Sequence, residues 1–259
     1  MTDHHTAKDS FGRLADIMDE LRAKCPWDQK QSIESLRHLT IEETYELADA
    51  ILENNMEDIR KELGDLLLHI VFYAKIASET NKFTLTDVID GICDKLVYRH
   101  PHVFGDVSVN DADDVKTNWE NLKIREGNKS ILAGVPKSLP AIVKAHRVQD
   151  KVRAVGFDWD VREQVWDKIE EELGELKVEI KQMDTEKMED EFGDLLFSMV
   201  NAARLYGIDP EAALERTNKK FIKRFNYLED HTIKAGRPLT AMTLDEMNMI
   251  WEEAKKMAI

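Results

Sequence analysis

The sequence predicts an all-α protein built from two tandem helical bundle units, and three observations carry that prediction. Apolar residues recur at helical spacing along almost the whole chain. No sustained two-residue alternation is present, and no Asn-Gly or Asp-Gly hairpin separates apolar runs. Two acidic motifs recur in the same order 129 residues further on, so one helical unit has been duplicated.

Taken in order, Phe11, Leu14, Ile17, Met18 and Leu21 form a helical stripe that Cys25-Pro26-Trp27-Asp28 interrupts. Helices follow at 32–53, 56–80, 84–100 and 111–126. Thr84 with Asp87 makes a capping box in which Asp replaces the usual Glu. His100-Pro101 ends that helix, because a residue preceding proline is pushed out of the helical region. The stretch 127–140, GNKSILAGVPKSLP, gathers glycines, prolines and small polar residues and reads as a linker. Beyond it helices are expected at 141–153, 162–182, 186–206, 210–235 and 243–258. Asp209-Pro210 supplies a cap and a first-turn proline, and Thr243 with Glu246 a second capping box. The expected domains are 1–126 and 141–259.

The 259 residues include 51 Asp and Glu against 36 Lys and Arg, a net charge of −15, with 42% hydrophobic residues. That hydrophobic share can build a core, while the charge repels phosphate backbones and argues against a nucleic-acid polymer as partner. No stretch approaches the roughly 18 apolar residues of a membrane span. The N-terminus, MTDHHTAKDS, lacks the apolar core of a secretory signal, so a cytoplasmic protein with no membrane partner is expected. Cys25 and Cys93 have no CxxC spacing, which leaves them as reduced, partly buried thiols. Neither GxGxxG nor GxxxxGK[ST] occurs, so any phosphate binding must come from metal and side chains.

The repeats concentrate the chemistry. Glu42-Glu43-x-x-Glu46 returns as Glu171-Glu172-x-x-Glu175, and Glu62-x-x-Asp65 as Glu191-x-x-Asp194. Lys95 and Arg99 are matched by Lys220 and Arg224, and Trp119 and Lys123 by Trp251 and Lys255. Residues three and four apart share a helix face, and a short connection around 182–186 makes the two acidic helices antiparallel neighbours. Four or five carboxylates then converge, and repulsion would force protons onto some of them unless a cation is bound. Carboxylate-only ligation selects a hard ion such as Mg2+, which keeps water and accepts substrate phosphates. An isolated ExxE in so acidic a chain is better read as a solvated helix face; two paired motifs, repeated, favour the metal. Gly64 and Gly193, inside the ExGD motifs, mark either a close approach or a packing contact.

Lys220 and Arg224 on one face suit a polyphosphate tail, with plain surface charge as the alternative. Trp251 suits base stacking or the core, and Lys255 a phosphate. A di-iron bundle would need Glu-x-x-His, which the acidic motifs lack: His69 follows Asp65, but Ser198 stands at the second copy's corresponding position. His100 and His102 alone make an incomplete metal site and read as structural.

These motifs, together with CPWD (25–28), LTIEETYELADAI (39–51), ELGDLL (62–67), RHPHVF (99–104), VGFDW (155–159) and FGDLLF (192–197), closely resemble the MazG family of bacterial nucleoside triphosphate pyrophosphohydrolases. The resemblance spans nearly the whole chain. It implies an all-α homodimeric enzyme that cleaves free NTPs and dNTPs between the α and β phosphates, giving a monophosphate and pyrophosphate, mainly in the second domain. It also implies that Glu172, Glu175, Glu191 and Asp194 are Mg2+ ligands. By the same resemblance Lys168, Lys187, Lys220, Arg224, Trp251 and Lys255 contact nucleotide. Glu171, a carboxylate outside that ligand set, is the expected base. Glu42, Glu43, Glu46, Glu62, Asp65, Lys95, Arg99, Trp119 and Lys123 outline a second site in the first copy. The competing expectation is a nucleotide-binding regulatory or dimerisation module without turnover. Relatives specialised for dUTP or phosphoribosyl-ATP usually carry one unit, so they are the weaker rival.

Overall fold

The structure, a computed structural model, describes residues 4–109, 111, 114, 115, 118, 119, 122, 130–234 and 236–257. Among these every regular element is helical and none is a strand. The expected helix at 111–126 and Lys123 fall mostly or wholly outside the described residues. The chain divides into two compact units, Met1–Asn110 and Asp111–Ile259, taken separately below.

In the first unit α1 (His4–Lys24) ends at the CPWD segment and is followed by a 3-10 turn at Asp28–Lys30. Helices α2 (Ile33–Leu52) and α3 (Met56–Glu79) then form the principal pair. Their connection is three residues long, which makes them antiparallel. Asn54 takes the left-handed conformation there (φ 53°), one that Asn tolerates. The next residue, Asn55, caps α3 by accepting from the Glu57 and Asp58 amides. Helix α1 packs on α3 and buries part of the apolar stripe read from the sequence: Met18 is in the core with Leu36, Val71 and Phe72, Phe11 and Leu14 pack against it, and Ile17 stays exposed at the edge of the stripe. Emptying such a position costs about 3–5 kcal/mol for a Phe-to-Ala change. Helix α4 (Leu85–Arg99) starts in the reciprocal Thr84–Asp87 capping box, and Pro101 opens the short α5 (Pro101–Phe104). His100 is tied down locally, its Nδ1 lying 2.6 Å from the Leu96 carbonyl. Cys25 is partly covered, whereas Cys93 on α4 is exposed rather than partly buried as expected, because α4 buries none of its residues.

The second unit repeats the plan. Helix α6 (Ala141–Arg153) packs on α8 (Thr185–Leu205), as α1 does on α3, and α7 (Gln164–Gln182) pairs with α8. The α7–α8 connection is only Met183 and Asp184. Met183 occupies the position that Asn54 holds in the first copy and is likewise left-handed (φ 58°). Asp184 caps α8 through the Lys187 amide at 3.3 Å. Val165, Ile169 and Ala202 form the buried centre, with Leu195 and Leu205 against it. Helices α9 (Pro210–Lys234) and α10 (Leu244–Lys256) pack on each other, with the Phe221 ring 4.9 Å from Trp251. Asp209 caps α9 and the Thr243–Glu246 box opens α10, both as expected. No described helix is long and apolar enough to cross a membrane.

Candidate active site

The antiparallel α7–α8 pair turns a sequence pattern into a cluster. EExxE lies mid-way along α7 and ExxD early in α8, so the facing turns bring Glu172, Glu175 and Glu191 together, with one oxygen from each within 4.8 Å of the others. The first unit builds the same trio from Glu43, Glu46 and Glu62. Among the described residues three carboxylates meet this tightly in each unit. Asp194, one turn beyond Glu191, stays outside the trio but close enough to act on it electrostatically. Glu171 and Glu42 lie beside their trios and are exposed.

The electrostatics show what such crowding costs. Burial, then the charges of Glu175, Glu172 and Asp194, raise the pKa of Glu191 above the ordinary 4.5. In the first unit burial, then Asp65, Glu46 and Glu62, raise Glu43 in the same way. Among the described residues a lysine stands beside each trio. Lys168 Nζ lies 2.7 Å from Glu172, a residue only 5% exposed, and 2.9 Å from Glu171, and these bonds push the lysine pKa up. In the first unit Lys61 plays that part, 3.0 Å from the buried Glu62. Even so Glu191 Oε2 and Glu62 Oε2 are buried with no hydrogen-bond partner. Gly64 and Gly193 have open space where a Cβ would stand, so helix contact there does not require glycine.

The second unit's cluster opens onto a cavity of about 540 Å3, to which Lys168, Glu172 and Asp194 contribute one wall. Three other segments complete it. Helix α6 contributes Val148, Gln149 and Val152; the VGFDW loop contributes Gly156 through Trp159; and α8 contributes Phe197, Ser198, Asn201 and Arg204. Gly156 has φ +86°, which admits glycine readily and lets the loop turn so that Phe157 is 79% exposed at the opening. Asp158 anchors that loop by accepting from Arg204 Nη1 at 3.0 Å. Burial pushes the Asp158 carboxyl up, but the Arg204 hydrogen bond, the Trp159 amide and the charges of Arg204 and Arg153 outweigh it, and the net shift is downward.

Other expected nucleotide contacts lie elsewhere in the unit. Lys187, Lys220, Arg224, Trp251 and Lys255 do not line this cavity. Lys187 sits at the start of α8, 3.5 Å from Asp184. Lys220 is exposed on α9 and Arg224 is half-buried one turn on. Trp251 packs against Phe221, and Lys255 pairs with Glu252 at 2.5 Å. In the first unit Lys95 is exposed on α4, Arg99 ends that helix, and Trp119 is half-buried.

The same register explains why the first copy differs. Arg22-Ala23 recurs as Arg153-Ala154 at an offset of 131, so Met18 corresponds to Gln149, while Phe72 corresponds to Asn201 at the motif offset of 129. Met18 and Phe72 are buried core residues in the first unit. Their counterparts in the second unit are polar and line the cavity.

Comparison with known proteins agrees with this geometry. The family model for the MazG nucleotide pyrophosphohydrolase domain matches residues 31–104 and 162–228, and both acidic clusters fall inside those segments. The chain is 41% identical over 256 residues to the nucleoside triphosphate pyrophosphohydrolase of Escherichia coli (strain K12), covering 95% of this chain and 97% of that one. It is 44% identical over 250 residues to the nucleoside triphosphate pyrophosphohydrolase/pyrophosphatase MazG of Thermotoga maritima, with 95% of each chain covered. With the duplicated helical pair, the two acidic clusters and relatives matching over nearly the whole length, this chain belongs to the MazG nucleotide pyrophosphohydrolase family.

Proposed function

We propose that the protein is a nucleoside triphosphate pyrophosphohydrolase whose second unit hydrolyses free NTPs and dNTPs, as Mg2+ complexes, to a nucleoside monophosphate and pyrophosphate. The observation that carries this reading is the position of the cavity, which opens directly onto Glu172, Asp194 and Lys168. Its volume of about 540 Å3 suits a small organic ligand. The relatives matched over nearly their whole length, nucleoside triphosphate pyrophosphohydrolases, support the reaction class.

The residues present fit a hard divalent cation. Every donor in the trio is a carboxylate oxygen, and the buried, unpartnered Glu191 Oε2 is an acceptor that such a cation satisfies. Glu172, Glu175 and Glu191 would hold it, with Asp194 beside them. When bound, Mg2+ supplies neutralisation of the triphosphate and polarisation of the α-phosphoryl group.

The chain's own residues do the rest. Phe157, Trp159 and Phe197 offer aromatic faces to the base. Glu171, an exposed carboxylate beside the trio, takes a proton from the attacking water, while Lys168 holds Glu171 and Glu172 at a fixed separation. Lys187, Lys220, Arg224 and Lys255, outside the cavity wall, offset charge on the pyrophosphate where it departs beyond the cavity, and Trp251 is the aromatic residue on that side of the nucleotide. The first unit keeps the carboxylates, but its Met18 and Phe72 fill the space that Gln149 and Asn201 border in the second, which supports activity mainly in the second unit. We assign a homodimer as well. Helix α4 buries no residue, yet carries Val88, Ile89, Ile92 and Leu96 exposed, an apolar face that suits a helical partner. A cytoplasmic location accords with free nucleotides as substrates.

Hydrolysis in 18O-labelled water tests the bond cleaved. Attack at the α-phosphorus places the label in the monophosphate and none in pyrophosphate. Label in pyrophosphate, or orthophosphate as the first product, contradicts the reading, as does binding of NTP without turnover.

A further inference from the structure

Gln149 is a polar residue on the cavity wall that the catalytic scheme does not use. It lies in α6, outside the segment 162–228 matched by the family model, and is only 4% exposed. Its Nε2 donates to the Phe197 carbonyl of α8 at 2.9 Å. A carbonyl can only accept, so this contact fixes which end of the amide is which. The other end, Oε1, is buried with no hydrogen-bond partner. Such an acceptor bears its full desolvation penalty until a donor reaches it.

Asn201, one turn beyond Phe197 on α8 and also lining the cavity, is locked with the opposite polarity. Its Oδ1 accepts from Arg204 Nε at 3.0 Å and from Arg204 Nη2 at 2.8 Å, so Nδ2 is the end offered to the cavity. Arg204 is itself held by Asp158, which stops the Asn201 amide from turning over. The cavity therefore presents one fixed acceptor and one fixed donor among aromatic rings. Helix packing does not demand either amide, because Met18 and Phe72 serve at the corresponding places in the first unit.

We propose that Gln149 is a specificity-determining residue whose Oε1 accepts an N–H from the hydrogen-bonding edge of the substrate's base, while Asn201 Nδ2 donates to the adjacent ring nitrogen or carbonyl. This rests on the reading that the cavity takes the nucleotide. The substrate class it defines is a nucleoside triphosphate whose base carries an N–H on that edge. The four common bases all do, so the site accepts many substrates and rejects bases stripped of that donor.

The test compares ATP with purine riboside triphosphate, which lacks the 6-amino group and so has no N–H donor on that edge, in the full-length wild type and in Gln149→Met. Pyrophosphate release is measured at saturating Mg2+. The wild type should prefer ATP in kcat/KM by about tenfold to a hundredfold, the range expected when a buried acceptor loses its only donor. Gln149→Met should bring the ratio to within about threefold of unity, chiefly by raising the KM for ATP. A wild type that uses both substrates equally overturns the proposal without any variant, and so does an unchanged preference in Gln149→Met. If wild type releases no pyrophosphate from any nucleotide, the functional reading fails instead.

Discussion

Replacing Lys168 with Met removes the cation paired with Glu172 of the second carboxylate trio, and the structure sets the size of the effect. Lys168 Nζ lies 2.7 Å from Glu172, whose side chain is only 7% exposed, while the lysine itself is 35% exposed. A hydrogen bond to a charged group contributes about 1.5–3 kcal/mol, and partial solvent exposure of the lysine reduces that to about 1–2 kcal/mol. At about 2–4 °C per kcal/mol for a chain of this size, Tm in metal-free buffer should fall by about 2–8 °C. Mg2+ should then stabilise the variant more than the wild type, because the ion meets a carboxylate that no lysine has already satisfied. Differential scanning calorimetry with and without Mg2+ gives both numbers. An unchanged metal-free Tm, or a smaller Mg2+ increment in Lys168→Met than in the wild type, refutes the assignment of Lys168 as the counter-ion of Glu172. The variant should also lose pyrophosphatase activity, since Lys168 holds Glu171 as well as Glu172.

Two further substitutions probe the same unit. The Glu191 pKa is raised in the fold, so its contribution to stability is present below the ordinary 4.5 and is lost as pH climbs through the raised value. Glu191→Gln should therefore raise the metal-free Tm at pH 7 and have less effect near pH 4.5, while abolishing Mg2+-dependent stabilisation; a Tm lowered at pH 7 contradicts this. Met183 holds a left-handed conformation that its first-copy counterpart, Asn54, tolerates better. Met183→Asn should stabilise by about 0.5–1 kcal/mol in chemical denaturation, with no change in activity, and a loss of stability would show that the exposed methionine makes a contact worth more than the relief of strain.

The helices and the acidic clusters were legible in the sequence because both depend on short-range spacing. Helix α6 has the predicted bounds, α7 and α8 lie within two residues of them, and EExxE with ExxD places three oxygens together once the connection is short. Spacing did not rank the carboxylates: Glu172, Glu175 and Glu191 draw tightest, while Asp194 acts on Glu191 electrostatically and Glu171 shares Lys168 with Glu172. The cavity was the larger omission. Val148, Gln149, Asn201 and Arg204 come from two helices separated in sequence, and no spacing rule joins them. One signal was present: aligning Arg22-Ala23 with Arg153-Ala154 sets Gln149 against Met18, a polar residue where the first copy has core. Trp251 shows the opposite limit: its ring packs against Phe221, and helical spacing alone does not separate an indole that only packs from one that also meets a base.

Whether hydrolysis takes place at the second unit's carboxylates beside its cavity is decided by pyrophosphate release from NTPs with Mg2+ in Glu172→Gln and in its first-copy counterpart, Glu43→Gln. Glu172→Gln should lower kcat by about a hundredfold or more, as expected when a group that acts on the transition state is removed. Glu43→Gln should retain most of the wild-type rate. Turnover retained in Glu172→Gln, or abolished only in Glu43→Gln, would contradict hydrolysis at the second unit's carboxylates.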